Sequence, residues 1–177
     1  HVVGVFNWGP NQDLISSEPM PETEKEIVVP FLDLNIPKND GVHVFDFWEE
    51  KYLGIFTTQF VTKLAPHHSK VFAMHEVTEH PQFLSSNRHI TQGGVEISDI
   101  HWHADQNELH GNLTMVKDFE HKLFFYIPDG LKLKDTEFEK LDKVTPTISG
   151  NLLKIQFKCP GVCDKFLLKW KLRFEII

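Results

Sequence analysis

The chain has 177 residues and a formal net charge of −7, with 18 basic against 25 acidic side chains, so a nucleic-acid partner, which needs a clustered basic face, is not expected. Hydrophobic residues at 41% and charged residues at 24% mark a globular chain, and only two Cys exclude a disulfide-rich mini-fold or a four-cysteine zinc site. The length falls short of a complete (β/α)8 barrel of about 250 residues, and the apolar runs at 27–32 and 123–127 are far below the ~20 residues of a membrane helix, so no membrane partner is expected.

His1 is followed at once by VVGVFNW, residues 2–8, which already reads as a strand. No initiator Met, basic leader or small-residue cleavage site precedes it, so the stretch reads as a piece of a longer or processed polypeptide, and a cytoplasmic location is the expectation. Residues 9–26 hold Pro10, Pro19 and Pro21 among acidic and polar groups and are expected to form a long loop.

Further along, the dominant hydrophobic period is two. Strand-like runs occupy 42–48, 55–64, 70–75, 95–102, 109–116, 122–127, 152–157 and 166–174. Turn signals separate them at sandwich-like intervals: Asn39-Asp40-Gly41, Ala65-Pro66, Gly93-Gly94, His110-Gly111-Asn112, Pro128-Asp129-Gly130, Ser149-Gly150-Asn151 and Cys159-Pro160-Gly161. No segment offers three clean helical turns. The nearest, 136–143 with Phe138 and Leu141, reads equally well as a loop or a strand edge. The expected fold is all-β, built of antiparallel β-sandwich units. The less apolar stretch 77–94, with Pro81 and Gly93-Gly94, places a boundary there and gives two units in tandem, 1–79 and 80–177.

In the run 42–48, Phe45 and Phe47 share one face, and Val44, Asp46 and Trp48 the other. Burying an unpaired Asp46 is costly, so its face should meet solvent or a polar partner. The Phe45/Phe47 face is then the expected core, and Trp48 is expected to cover a sheet edge.

Glycosidic hydrolysis needs two carboxylates about 5–9 Å apart. Asp46, Glu49 and Glu50 lie in FDFWEEKY, but adjacent Glu49 and Glu50 point different ways, which favours a solvated turn. His101 and His103 alternate on one strand face, with Asp105 two positions on, a pattern that suits a divalent metal. Paired His on an exposed sheet face, with Trp102 turned inward, is the preferred reading, so no metal and no cofactor is expected. His67-His68 follows Pro66 in a turn and is a weaker candidate. Cys159 and Cys163 bracket a Pro-Gly turn at a span a disulfide could bridge, and free thiols are favoured. Asn112-Leu113-Thr114 is a glycosylation sequon by letter. No nucleophile elbow, phosphate loop, dinucleotide fingerprint or HExxH motif occurs. Trp48, Tyr52 and Trp102, with Trp8, are the side chains able to stack on a sugar.

Four phrases occur in order: VVGVFNWG (2–9), FDFWEEKYLG (45–54), LAPHHSKVFAM (64–74) and HPQFLSSNRHITQGGVEISDIHW (80–102). Together they resemble the C-terminal β-region of melibiase-type glycoside hydrolases, the α-galactosidase clan, over residues 2–104. The resemblance implies that the two catalytic carboxylates reside on a barrel elsewhere in the parent chain, so no catalytic residue is assigned here. It further implies a non-catalytic accessory region whose partner is that barrel. Two other functions compete with it. One is a carbohydrate-binding module gripping a glycan through Trp48, Tyr52 and Trp102. The other is a small metal-dependent enzyme around His101 and His103.

Overall fold

A computed structural model describes residues 1–9, 23–36, 41–141, 143–159 and 165–177. Most of the expected loop at 9–26, the start of the Asn39-Asp40-Gly41 turn and Cys163 lie outside the described residues. The fold is all-β with antiparallel pairing throughout the described sheets, and the chain divides into two compact units, His1–Val77 and Thr78–Ile177.

In the first unit, β1 (Val2–Asn7), β3 (Val42–Asp46), β4 (Lys51–Phe56) and β6 (His68–Glu76) form one sheet in the order β1-β6-β3-β4. β2 (Lys25–Pro30) and β5 (Gln59–Leu64) form a second, two-stranded sheet. A single 3₁₀ turn, Phe31–Leu34, follows β2 and stops at Asn35, whose φ of 55° is left-handed. The run 55–64 read as one strand is two, because β4 ends at Phe56 and the chain turns back into β5.

The core of this unit corrects the expected strand orientation. Val42 and Val44 lie in it with Phe72 and Met74 of β6, against Val29, Phe31, Phe60 and Leu64. Phe60 and Phe72 meet edge to face at 4.8 Å. Phe45 is buried on the opposite face, and Phe47 is only half-buried in the turn after β3. The valine face becomes core because Asp46, on that same face, acquires a cation instead of a solvent exit.

The second unit pairs two four-stranded sheets. One has β7 (Gln82–Ser86), β10 (Glu120–Tyr126), β12 (Thr145–Ser149) and β13 (Leu152–Lys158), in the order β12-β13-β10-β7. The other has β8 (Ile97–His103), β9 (Glu108–Val116), β11 (Leu131–Phe138) and β14 (Lys165–Ile176), in the order β11-β14-β9-β8. Alternate residues Leu109, Leu113 and Met115 of β9 join Leu168, Trp170, Leu172 and Phe174 of β14 and Leu123, Phe125, Leu153 and Ile155 of the facing sheet. Gly111 interrupts the large residues of β9 because a Cβ there would run into the Trp170 ring.

Two strands of this unit carry weak periodic signals. β12 is exposed along its whole length, so no apolar alternation marks it. β7 lies in the stretch read as less apolar, and its serines are buried because they find acceptors: Ser85 donates to Gln92 Oε1 at 2.9 Å and Ser86 donates to Glu96.

His121 is the second unit's acid-sensitive point. It is buried between the Phe119 and Phe157 rings, and its Nε2 accepts the Val116 N–H at 3.4 Å. Burial, reinforced by the Arg88 charge, lowers its pKa from 6.5 to about 4. Between those two values the unfolded chain takes up a proton that the folded chain refuses, so stability falls as pH drops through this window and levels off below it. Urea melts at pH 7 and at pH 4 should differ by about 2 kcal/mol more in the wild type than in His121→Phe. An equal pH response in both proteins would remove His121 as the cause.

Candidate functional site

The β3–β4 turn is organised by Asp46. This carboxylate is fully buried, and its Oδ1 accepts the backbone N–H groups of Trp48 at 3.1 Å and Glu49 at 3.2 Å. Its Oδ2 accepts Lys70 Nζ at 3.0 Å, and the same ammonium donates to Glu49 at 2.6 Å. The hydrogen bond from Lys70 holds the exposed Glu49 carboxyl below its ordinary range, and Glu49, with Asp46, raises Lys70 above its own. Glu49 and Glu50 therefore sit in a turn, with Glu49 tied to a lysine.

This turn presents Trp48, which is 59% exposed. Trp8, just past the end of β1, is 77% exposed and stacks on Phe6 at 5.4 Å. Register places both aromatic pairs beside the first residues of β6: Phe6 lies opposite Ser69, and the Phe47 N–H reaches the Val71 carbonyl at 2.9 Å. Phe47 and Trp48 meet edge to face at 4.9 Å. Alternation puts Val2 and Phe6 of β1 on the same sheet face as Phe45 and Phe47, and the bulge at Gly54 (φ 116°) brings both Tyr52 and Ile55 there. Val2, Phe6 and Ile55 are exposed on this face.

The three predicted sugar-stacking residues do not share an environment. Trp48 is exposed. Tyr52 is half-buried, with its hydroxyl 2.8 Å from His43 Nδ1. Trp102 belongs to the other unit and packs at the margin of its core, stacked on His80 at 5.6 Å and 6.0 Å from Phe174.

His101 and His103 lie on the outer face of β8, with Trp102 turned inward as expected. The His103 ring is 4.3 Å from that of His110. His110 Nε2 is tied to Glu108 at 2.8 Å, and Asp105 falls in the exposed turn beyond the strand. Among the described residues, no group of three or more His, Cys, Asp or Glu side chains is placed to hold a metal ion. Cys159 is buried, and its pairing with Cys163 lies outside the described residues. Asn112 of the sequon sits within β9 and donates to Asp99 at 2.6 Å.

A second feature carries no sequence motif. The outer face of the β11-β14-β9-β8 sheet carries a polar network across three strands. Arg173 of β14 reaches Glu108 at 2.9 Å, Asp135 at 2.6 Å and Glu137 at 2.6 Å. His110, followed by Arg173 and Lys171, holds Glu108 below the ordinary carboxylate range. Beside this network lies an open cleft of about 350 Å³, lined by Asp99, His110, Asn112, Glu137, Glu139 and Lys169 among others. The sequence signal was the alternation of Lys169, Lys171 and Arg173 with Leu168, Trp170 and Leu172, which marks a polar face without marking a concave one.

No protein-family model matches the chain, and no curated protein matches it at a significant level.

Proposed function

We propose that the chain is the non-catalytic C-terminal β-region of an α-galactosidase-like glycoside hydrolase, and that its first unit packs against the catalytic barrel of the same parent chain. The observation that carries this reading is the exposure of Val2, Phe6 and Ile55 on one sheet face of that unit, with Trp8 and Trp48 exposed just past the ends of its strands. Exposed apolar side chains at both edges of one sheet face offer a partner surface to cover. Its neighbours are fixed in place, Trp48 by the Asp46-ordered turn and Trp8 by its stack on Phe6, so little ordering entropy opposes association. On this reading the chain supplies no catalytic residue; Asp46 is committed to its turn and to Lys70, and the acid and the nucleophile belong to the barrel.

The test is acrylamide quenching of tryptophan fluorescence, with Trp8→Phe and Trp48→Phe used to assign the signal. In the chain alone both indoles should quench freely. In the parent chain, with its upstream barrel present, both should be protected. Equal quenching in the two contexts overturns the reading.

A carbohydrate-binding module is the second reading, favoured by the exposure of Trp48. It predicts that a bound sugar protects Trp48 in the chain alone, with no barrel present.

A further inference from the structure

We propose that the outer face of the β11-β14-β9-β8 sheet in the second unit binds the terminal one or two rings of a neutral oligosaccharide, in the cleft between Asp99, Asn112, Glu139 and Lys169. The proposal is independent of the barrel reading, which concerns the other unit.

The first support is a built feature of the backbone. β8 breaks register between Ser98 and His101, and Asp99 at this bulge takes a φ of 53°. Left-handed backbone is uncommon outside glycine, and bulges of this kind re-aim a side chain. Asp99 borders the cleft, with its Oδ2 accepting Asn112 Nδ2 at 2.6 Å and the Ser98 hydroxyl at 3.1 Å. An acidic and an amide side chain are thereby locked together, leaving Asp99 Oδ1 and Asn112 Oδ1 as acceptors without a partner among the described residues.

The second support is the pairing pattern. Glu137 is held by Arg173, while Lys171 and His110 are held by Glu108. Lys169 and Glu139, which also border the cleft, have no ion-pair partner among the described residues. The groups left over are one strong donor and several acceptors, distributed over strands β8, β9 and β14 and the residue after β11.

Ligand class follows from these groups. Three carboxylates, Asp99, Glu137 and Glu139, stand beside two ammonium groups, Lys169 and Lys171. An anion meets the carboxylates and a cation meets the lysines, so neither gains a clean partner set. A wholly apolar ligand would cover Asp99, Glu139 and Lys169 without pairing them, which is unfavourable. A hydroxyl both donates and accepts, so adjacent sugar hydroxyls can satisfy the acceptors of Asp99, Asn112 and Glu139 and the donor of Lys169 together. The volume lies at the low end of small-molecule sites, about 300–1,000 Å³, which limits occupancy to one or two rings. Because the cleft is open, most of each hydrogen bond gained replaces one to water, and affinity should be weak, with Kd on the order of 1 mM.

The experiment is an amide-resolved NMR titration of the full chain with raffinose, maltotriose, cellotriose and mannotriose, and with trigalacturonate and chitotriosamine as charged controls. At least one neutral trisaccharide should move the signals of residues 98–99, 110–112, 139 and 169. Asp99→Asn and Asn112→Ala should each weaken that binding about tenfold or more. Lys169→Ala, at an exposed position where folding is not at stake, should weaken it as well, and Lys154→Ala on the other sheet should not. The proposal is overturned if none of the four neutral sugars binds, if only a charged control binds, if binding moves residues elsewhere, or if the Lys169→Ala protein binds like the wild type.

Discussion

Phe72→Ala should lower the unfolding free energy of the first unit by about 3–5 kcal/mol, whereas Phe47→Ala should cost about 1 kcal/mol. Phe72 is fully buried at the centre of the four-stranded sheet, edge to face with Phe60 and within the cluster that includes Val44 and Met74. Truncating it removes apolar area from the core and opens a cavity that strands paired on both sides cannot close. Phe47 stands in the β3–β4 turn, half-buried against Trp48, and water can fill what it vacates. Urea melts followed by the amide signals of β3 and β6 distinguish the two variants without interference from the second unit. Equal losses would return the core to the Phe45/Phe47 face.

Lys70→Met should destabilise the same unit by about 3 kcal/mol, and adding Asp46→Asn should recover part of that loss. Asp46 is fully buried, while the Lys70 side chain retains 26% of its exposure. Removing the ammonium leaves a buried carboxylate with only two backbone N–H groups to stabilise its charge, an expensive arrangement. Asparagine at position 46 keeps an acceptor for those N–H groups and carries no charge, so the double variant should be more stable than Lys70→Met alone. If Lys70→Met melts like the wild type, the ion pair contributes little and the backbone hydrogen bonds hold the turn by themselves. The same variants bear on the proposed barrel contact, because a loosened turn releases Trp48. Trp48→Ala should accordingly cost less in the isolated chain than in the parent enzyme, with denaturant melts in both contexts as the measure.

The sequence by itself determined the all-β antiparallel class. Period-two alternation is local: in β9, β13 and β14 each residue's type states which way it points, because successive side chains on a strand must diverge. The same rule put Trp102 inward and His101 and His103 outward. Where alternation is silent, the tertiary structure decided. β12 is exposed along its length and shows itself only through its pairing with β13. In β3 both faces are buried, so alternation could not say which one is core; the choice depended on Lys70, 24 residues away in sequence, bringing its ammonium to the Asp46 carboxylate. β7 reads as polar until Gln92 and Glu96 return to accept from its serines. The cleft beside Asp99 lies where one strand breaks register against its neighbour, and β9, β14 and the residue after β11 bring Asn112, Lys169 and Glu139 beside it. Side-chain direction is encoded residue by residue, whereas the partner that makes a buried charge tolerable, or a polar face concave, comes from sequence-distant strands and is supplied only by folding.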